Sequence, residues 1–212
     1  MAKKNALIMV DLQNDFCPGG SLAVPDGDAI IPIANQLQDS FDLVIATQDW
    51  HPRDHVSFAA NHPGHEVGDV ITVDNIFQIL WPIHCVQETK GAEFYPGLNT
   101  KRIHKIFHKG VDKNIDSYST FFDNEHLRET GLADYLRHEG IEDVYIMGLA
   151  TDYCVKYSAL DALELKFHVY VIADACRGID LKPGDVNNAI EEMRTAGANI
   201  IHLQDIIMGG SF

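Results

Sequence analysis

The chain has 212 residues, with 16 Lys and Arg against 31 Asp and Glu, a formal charge of −15. Its 46% hydrophobic and 22% charged residues are those of a globular chain rather than a disordered one, and the length suits a single domain, residues 1–212. A surface this acidic repels phosphate backbones and anionic lipid headgroups, which argues against nucleic-acid or membrane partners.

The first element is a strand, Ala6–Val10, whose apolar residues run without interruption, as in strands covered on both faces. The preceding Met1-Ala2-Lys3-Lys4 carries the charge of a signal-peptide start. However, the apolar stretch behind it stops at Asp11, too short for an h-region. No apolar run approaches the roughly 20 residues of a spanning helix. Four scattered cysteines, Cys17, Cys85, Cys154 and Cys176, do not make a disulfide scaffold, so the expected location is the cytoplasm.

A helix follows, with Ile30, Ile33, Ala34 and Leu37 on one face, and then a second strand at Leu43–Ala46. Residues 48–101 break this rhythm. Pro52, Pro63, Pro82 and Pro96, with several Gly and His, mark a long loop-rich excursion of the kind that usually carries function. Ile103–Phe107 reads as the next strand and Leu132–Glu139 as a helix stopped by Gly140. A strand at Val144–Met147 leads to a helix carrying Val155, Ala159, Ala162 and Leu163. Then come a strand at Val169–Ala173, a helix with Ala189, Ile190 and Met193 stopped by Gly197, and a last strand at Asn199–Leu203. This alternation predicts an α/β fold, a parallel sheet between helix layers.

In such folds, sites form beyond the carboxyl ends of strands. Asp11 ends the first strand, Asp49 and His51 follow the second, Lys109 follows the third, and Cys154 opens a helix after the fourth. A thiol at a helix start is expected to have a lowered pKa and nucleophilic character; equally, a free Cys often serves as a small buried hydrophobe. A desolvated Asp11 would have a raised pKa and could shuttle protons, and an ammonium at Lys109 would steady a thiolate. Asp49 and His51, two apart in an extended segment, face one side, and His84 is a third ligand type in the same excursion. Two His and one carboxylate suit one divalent ion, Zn²⁺ first, with Fe²⁺ and Mn²⁺ as alternatives. His55, His62 and His65 compete with these as loop histidines, while His104 and His108 fall in a strand pattern and read as packing or hydrogen-bonding residues.

Six segments then carry a resemblance that spans nearly the whole chain. They are Asp11-Leu12-Gln13-Asn14-Asp15-Phe16, Gln48-Asp49-Trp50-His51-Pro52, Trp81-Pro82-Ile83-His84-Cys85-Val86, His108-Lys109-Gly110, Asp116-Ser117-Tyr118-Ser119 and Gly148-Leu149-Ala150-Thr151-Asp152-Tyr153-Cys154-Val155. Together they resemble the nicotinamidases of the isochorismatase-like cysteine hydrolase superfamily.

The resemblance implies a three-layer α/β/α fold with a six-stranded parallel sheet. It implies Asp11, Lys109 and Cys154 as a catalytic triad, and Asp49, His51 and His84 as metal ligands, with His55 an added ligand in some relatives. It further implies a cis peptide before Ala150, whose N–H would join that of Cys154 in an oxyanion hole, and Phe16, Trp81 and Tyr118 around an aromatic substrate. The implied reaction converts nicotinamide to nicotinic acid and ammonia through a Cys154 thioester, in NAD salvage, with pyrazinamide as a second substrate. Another amidohydrolase of the superfamily, acting on N-carbamoyl or ureido acids, is the alternative, although a metal that holds a ring nitrogen has no role on such substrates. A non-catalytic metal- or ligand-binding protein of the same fold is the rival of another class. The chain would work as a monomer or a homo-oligomer.

Overall fold

Strand β1 (Lys4–Val10) forms the middle of the sheet, and every side chain from Ala6 to Val10 is fully buried. The computed structural model describes residues 4–209; the charged start Met1–Lys3 and residues 210–212 lie outside the described residues. Burying a Leu, Ile, Met or Val side chain contributes about 1.5–3 kcal/mol each, so this strand anchors the core. Its neighbours are β2 (Leu43–Asp49) on one side and β6 (Ile141–Leu149) on the other, both parallel to it. With β5 (Lys105–Lys109), β7 (His168–Arg177) and β8 (Asn199–Ile201), the six strands run parallel in the order β5-β2-β1-β6-β7-β8.

The helices are α1 (Ile31–Leu37), α2 (Leu132–His138), α3 (Lys156–Glu164), α4 (Asp185–Ala196) and α5 (Leu203–Ile207). They flank the sheet and bury the faces read from the sequence: Ala34 and Leu37 in α1, Ala159 and Ala162 in α3, Ala189 and Met193 in α4. Gly197 ends α4 at φ 114°, as expected of a glycine C-terminal stop. From β1 the chain steps outward to β2 and β5, then crosses back to β6 and steps the other way. That reversal makes the gap between the ends of β1 and β6 the topological switch point, where open α/β sheets bind ligands. Gly148 lets the two strands close there. Its φ is 127°, and a Cβ would meet the Val10 carbonyl oxygen at 2.2 Å.

The limits of all six strands differ from the sequence pattern: β1 and β6 begin earlier, β2, β6 and β7 run longer, and β8 stops at Ile201 because Leu203 opens α5. The third begins at Lys105 instead of Ile103, because His104 is still docking: its N–H donates to the Val44 carbonyl (2.8 Å) and its Nδ1 accepts from the Val44 N–H (3.0 Å). It then runs through the polar His108 and Lys109, which an apolar pattern does not count. β7 likewise extends past Ala173 to Arg177 through a register shift opposite Ile146 and Gly148. The excursion is also less irregular than its prolines implied. It holds an antiparallel hairpin, β3 (Val70–Val73) and β4 (Ile76–Ile79), with Phe77 exposed.

Candidate active site

Three strand ends and one turn converge at the switch point. Asp11 follows β1, Asp49 closes β2, Lys109 closes β5, and Cys154 sits in a π-helical turn, Thr151–Val155, that joins β6 to α3. All four side chains are buried. Lys109 is the hub. Its Nζ lies 2.9 Å from Asp11 Oδ2 and 3.4 Å from Cys154 Sγ, donates to the Ser117 carbonyl at 3.0 Å, and pairs directly with Asp49 Oδ1. Oxygens of Asp11 and Asp49 and the Cys154 sulfur all lie within 4.8 Å of one another.

The protonation states follow from burial and this pairing. Burial works against the Lys109 ammonium, but Asp11 and Asp49 outweigh it and hold the group charged well above its usual range. Burial would raise Asp49 too; Lys109 and His51 override it and keep the carboxylate ionised. For Asp11 burial wins over the Lys109 attraction, and its pKa is raised, as the strand-end position predicted. Cys154 departs from expectation. The helix start was expected to lower its pKa, whereas burial pushes the thiol well above its ordinary value, with Lys109 only opposing. The sulfur is enclosed and faces carboxylates, so desolvation exceeds what one turn of helix supplies. A thiol in this state needs a base to ionise it, and Asp11 is the adjacent acceptor.

Across Asp49 stands the second cluster. His51 Nδ1 donates to the Gly110 carbonyl (2.9 Å) and His84 Nδ1 to the Pro82 carbonyl (2.8 Å). Because a carbonyl only accepts, each imidazole carries a proton on Nδ1 and turns Nε2 inward; the Asp49 carboxylate raises the His51 pKa against burial, so Nε2 of His51 would release a proton on taking a metal. Those Nε2 atoms lie 3.5 Å and 3.8 Å from Asp49 Oδ2. Two oriented imidazole nitrogens and an ionised carboxylate, mutually within 4.8 Å, form a donor set that fits a divalent ion. Gly110 is required here: it has φ 63°, and a Cβ would strike the His51 ring at 2.3 Å.

The His55 ring lies 4.1 Å from that of His51, tilted by 33°, but both its nitrogens are engaged, Nδ1 with Ser57 Oγ (2.7 Å) and Nε2 with the Ile115 carbonyl (3.3 Å). His62 bonds the Val56 carbonyl and His65 pairs with Asp69, away from this cluster. His104 and His108 are structural neighbours of the sheet, as read. His108 stacks on Trp50 at 4.4 Å between ring centroids.

Phe16, Trp81 and Tyr118 line one pocket with Asp49, His84, Ala150 and Cys154. Trp81 Nε1 donates to Tyr118 Oη at 3.1 Å, and Tyr153 packs edge-on against Trp81. The open space among these rings is about 20 Å³, room for about one water. A larger cavity of about 400 Å³ shares Tyr118 but lies against the β3–β4 hairpin and holds none of the triad-type residues. The Leu149–Ala150 peptide is cis. Cys17, Cys85 and Cys176 are buried free thiols.

Several site residues were not singled out from the sequence. Gln13 is fully buried and binds Asp49 on both sides: its Oε1 accepts the Asp49 N–H (2.9 Å) and its Nε2 donates to the Asp49 carbonyl (2.8 Å). Asp116 is a buried, ionised neighbour of His51 and His55, its carboxyl held below the usual range by those rings against the effect of burial. Thr47 bonds Asp11. Gln13 and Asp116 stood inside quoted motifs, and a polar side chain in a buried strand is the signal that marks Thr47.

Residues 5–205 match the family described as Isochorismatase domain. The nicotinamidase of Escherichia coli is 50% identical over 204 residues, covering 94% of this chain and 95% of that one. A solved Acinetobacter baumanii nicotinamidase/pyrazinamidase superposes with a TM-score of 0.94 at 48% identity, covering 97% of this chain and 99% of the other. A pyrazinamidase of Pyrococcus horikoshii solved in complex with zinc has a TM-score of 0.77 at 40% identity, covering 94% and 99%.

Proposed function

The chain belongs to the isochorismatase family, and from that premise and the arrangement around Lys109 we infer that it hydrolyses nicotinamide to nicotinic acid and ammonia. One observation carries this reading: a buried thiol, a buried carboxylate of raised pKa and a buried ammonium touch at the mouth of an aromatic pocket. Nucleophile, base and charge stabiliser are the parts that amide hydrolysis needs.

The residues then take these roles. The Cys154 S–H proton passes to Asp11 as the sulfur attacks the carboxamide carbon, and Lys109 balances the negative charge that remains. Backbone N–H groups of Ala150 and Cys154 receive the developing oxyanion. Asp11 returns its proton to the departing nitrogen, which leaves as ammonia. Water, deprotonated by Asp11, then cleaves the thioester to give the acid. Phe16, Trp81 and Tyr118 hold the ring. Asp49, His51 and His84 would hold a divalent ion, zinc first among candidates by the P. horikoshii relative, and His55 braces His51 by the contact of their tilted rings. When bound, the ion would supply Lewis acidity suited to a ring nitrogen, which would favour pyridine and pyrazine amides. Pyrazinamide is accordingly a second substrate, and the product feeds NAD salvage in the cytoplasm. Among the described residues no helix is long and apolar enough to cross a membrane.

The test is ammonia release from nicotinamide by metal-loaded enzyme, with Cys154→Ala in parallel. Release that vanishes in the variant supports the reading. No release from folded, loaded wild type overturns the substrate and moves it to another amide, N-carbamoyl or ureido acids first.

A further inference from the structure

Thr47 lies on β2 beside the end of β1, fully buried like Asp11. Its hydroxyl makes two bonds to that one residue. The Asp11 N–H donates to Thr47 Oγ1 at 3.2 Å, and Thr47 Oγ1 donates to Asp11 Oδ1 at 2.7 Å. The first bond uses an Oγ1 lone pair and the second its only hydrogen, so the direction of the hydroxyl is settled. Asp11 Oδ1 is therefore committed as an acceptor. The other oxygen, Oδ2, is 2.9 Å from Lys109 Nζ and is ion-paired with it. The two carboxylate oxygens are thus unequal: one is tied to a neutral hydroxyl, the other to the ammonium that also lies 3.4 Å from Cys154 Sγ.

We propose that Thr47 is a positioning residue for the base, holding Asp11 Oδ1 so that Oδ2 is the oxygen that takes and returns the Cys154 proton. The inference rests on the amide-hydrolysis reading above. In the first step the S–H bond breaks, the proton goes to Oδ2, and the sulfur electron pair forms the C–S bond. In the second the Oδ2–H proton goes to the nitrogen as the C–N bond breaks. Thr47 touches no reacting atom. Without its hydroxyl the carboxylate is free to rotate, and both oxygens turn toward the Lys109 ammonium, which makes a poorer base.

The experiment compares Thr47→Val with Thr47→Ser in the metal-loaded full chain. A misplaced catalytic group loses on the order of 10- to 100-fold, so Thr47→Val is expected to lower kcat by that factor with KM within about twofold. Thr47→Ser, which keeps the hydroxyl, is expected to restore it. The second readout is the rate of Cys154 alkylation by iodoacetamide, followed by peptide mass spectrometry. It should slow by about tenfold in Thr47→Val and match wild type in Thr47→Ser. Metal content and circular dichroism establish that both proteins are loaded and folded, and Thr47→Ala serves if the valine variant does not fold. Wild-type kcat and alkylation in the variant without the hydroxyl overturn the proposal, as does an equal loss in Thr47→Ser. If wild type releases no ammonia, the substrate reading fails while alkylation still decides the role of Thr47.

Discussion

The two halves of the site are built differently. Asp11, Lys109 and Cys154 stand at ends of regular elements of the main sheet, whereas His51, His84 and Trp81 come from the 48–101 excursion, which pairs with itself and with loops. The sheet places its groups through ladder hydrogen bonds that would exist in any parallel α/β fold. The excursion depends on side-chain ties: Gln13 grips Asp49 on both sides, Asp15 Oδ2 accepts the Cys85 N–H at 2.7 Å, and Gln87 Nε2 donates to the Trp50 carbonyl at 2.9 Å. On the proposed reading, chemistry falls to the sheet half and selection of the ring to the half held by side-chain ties, with Asp49 and Lys109 paired across the seam.

The sharpest way to break that comparison is at the nucleophile. Cys154→Ala should reduce turnover by about 10⁵- to 10⁶-fold, the scale of losing a covalent nucleophile, while thermal unfolding stays near that of wild type. Retained turnover would end the covalent mechanism. On the other side, His84→Ala should weaken metal affinity by more than about 100-fold, and chelation of wild type should remove nicotinamide turnover until metal is restored. Full turnover in metal-free protein would leave the excursion without its assigned role. At the seam, Lys109→Met leaves two buried carboxylates without their cation. Removing one partner of a buried pair costs about 3–5 kcal/mol, so this variant should unfold at lower temperature as well as lose activity. An unchanged melting temperature would show the pairing to be dispensable for stability.

Much of the sheet half was legible because strand ends are where sequence pattern and chemistry coincide. ALIMV identifies β1, and the first polar residue after it, Asp11, necessarily sits at the strand's carboxyl end. The same logic led to Lys109 even though the third strand's limits were misjudged by two residues. The candidate ligands in the excursion were picked out by residue type and spacing, but nothing in that segment's pattern says that Gly110 must lack a side chain for the His51 ring to fit, or that Gln13 reaches across to Asp49. Those are long-range contacts without periodicity. The pKa of Cys154 was misjudged for a related reason: a helix start is visible in sequence, whereas complete enclosure of the sulfur is a property of the assembled site.

Gln13→Ala separates the halves more gently than loss of a ligand does. Its amide fills both backbone polar groups of Asp49 and also donates to the Ala92 carbonyl at 2.9 Å, so its loss loosens a ligand without removing one. A group that orients a ligand is worth about 10–100-fold in metal affinity, and the expected result is that loss with Cys154 alkylation unchanged. If alkylation slows equally, the sheet half and the excursion are not separable.

The smallest effect concerns acid stability and tests how dry the excursion's interior is. Burial lowers the His55 pKa from 6.5 to about 4, with the neighbouring His51 adding to it. A base whose folded pKa is depressed binds its proton more readily when unfolded. Stability is therefore complete above pH 6.5, falls as the unfolded state takes up the proton, and levels off below about 4. His55→Gln, which keeps a polar side chain without the titration, should flatten that fall in a denaturant series. An unchanged slope would mean that water reaches His55 in the native protein. The excursion would then be an open flap over a closed sheet, and the metal ligands on it would exchange with solvent while the triad stays sealed.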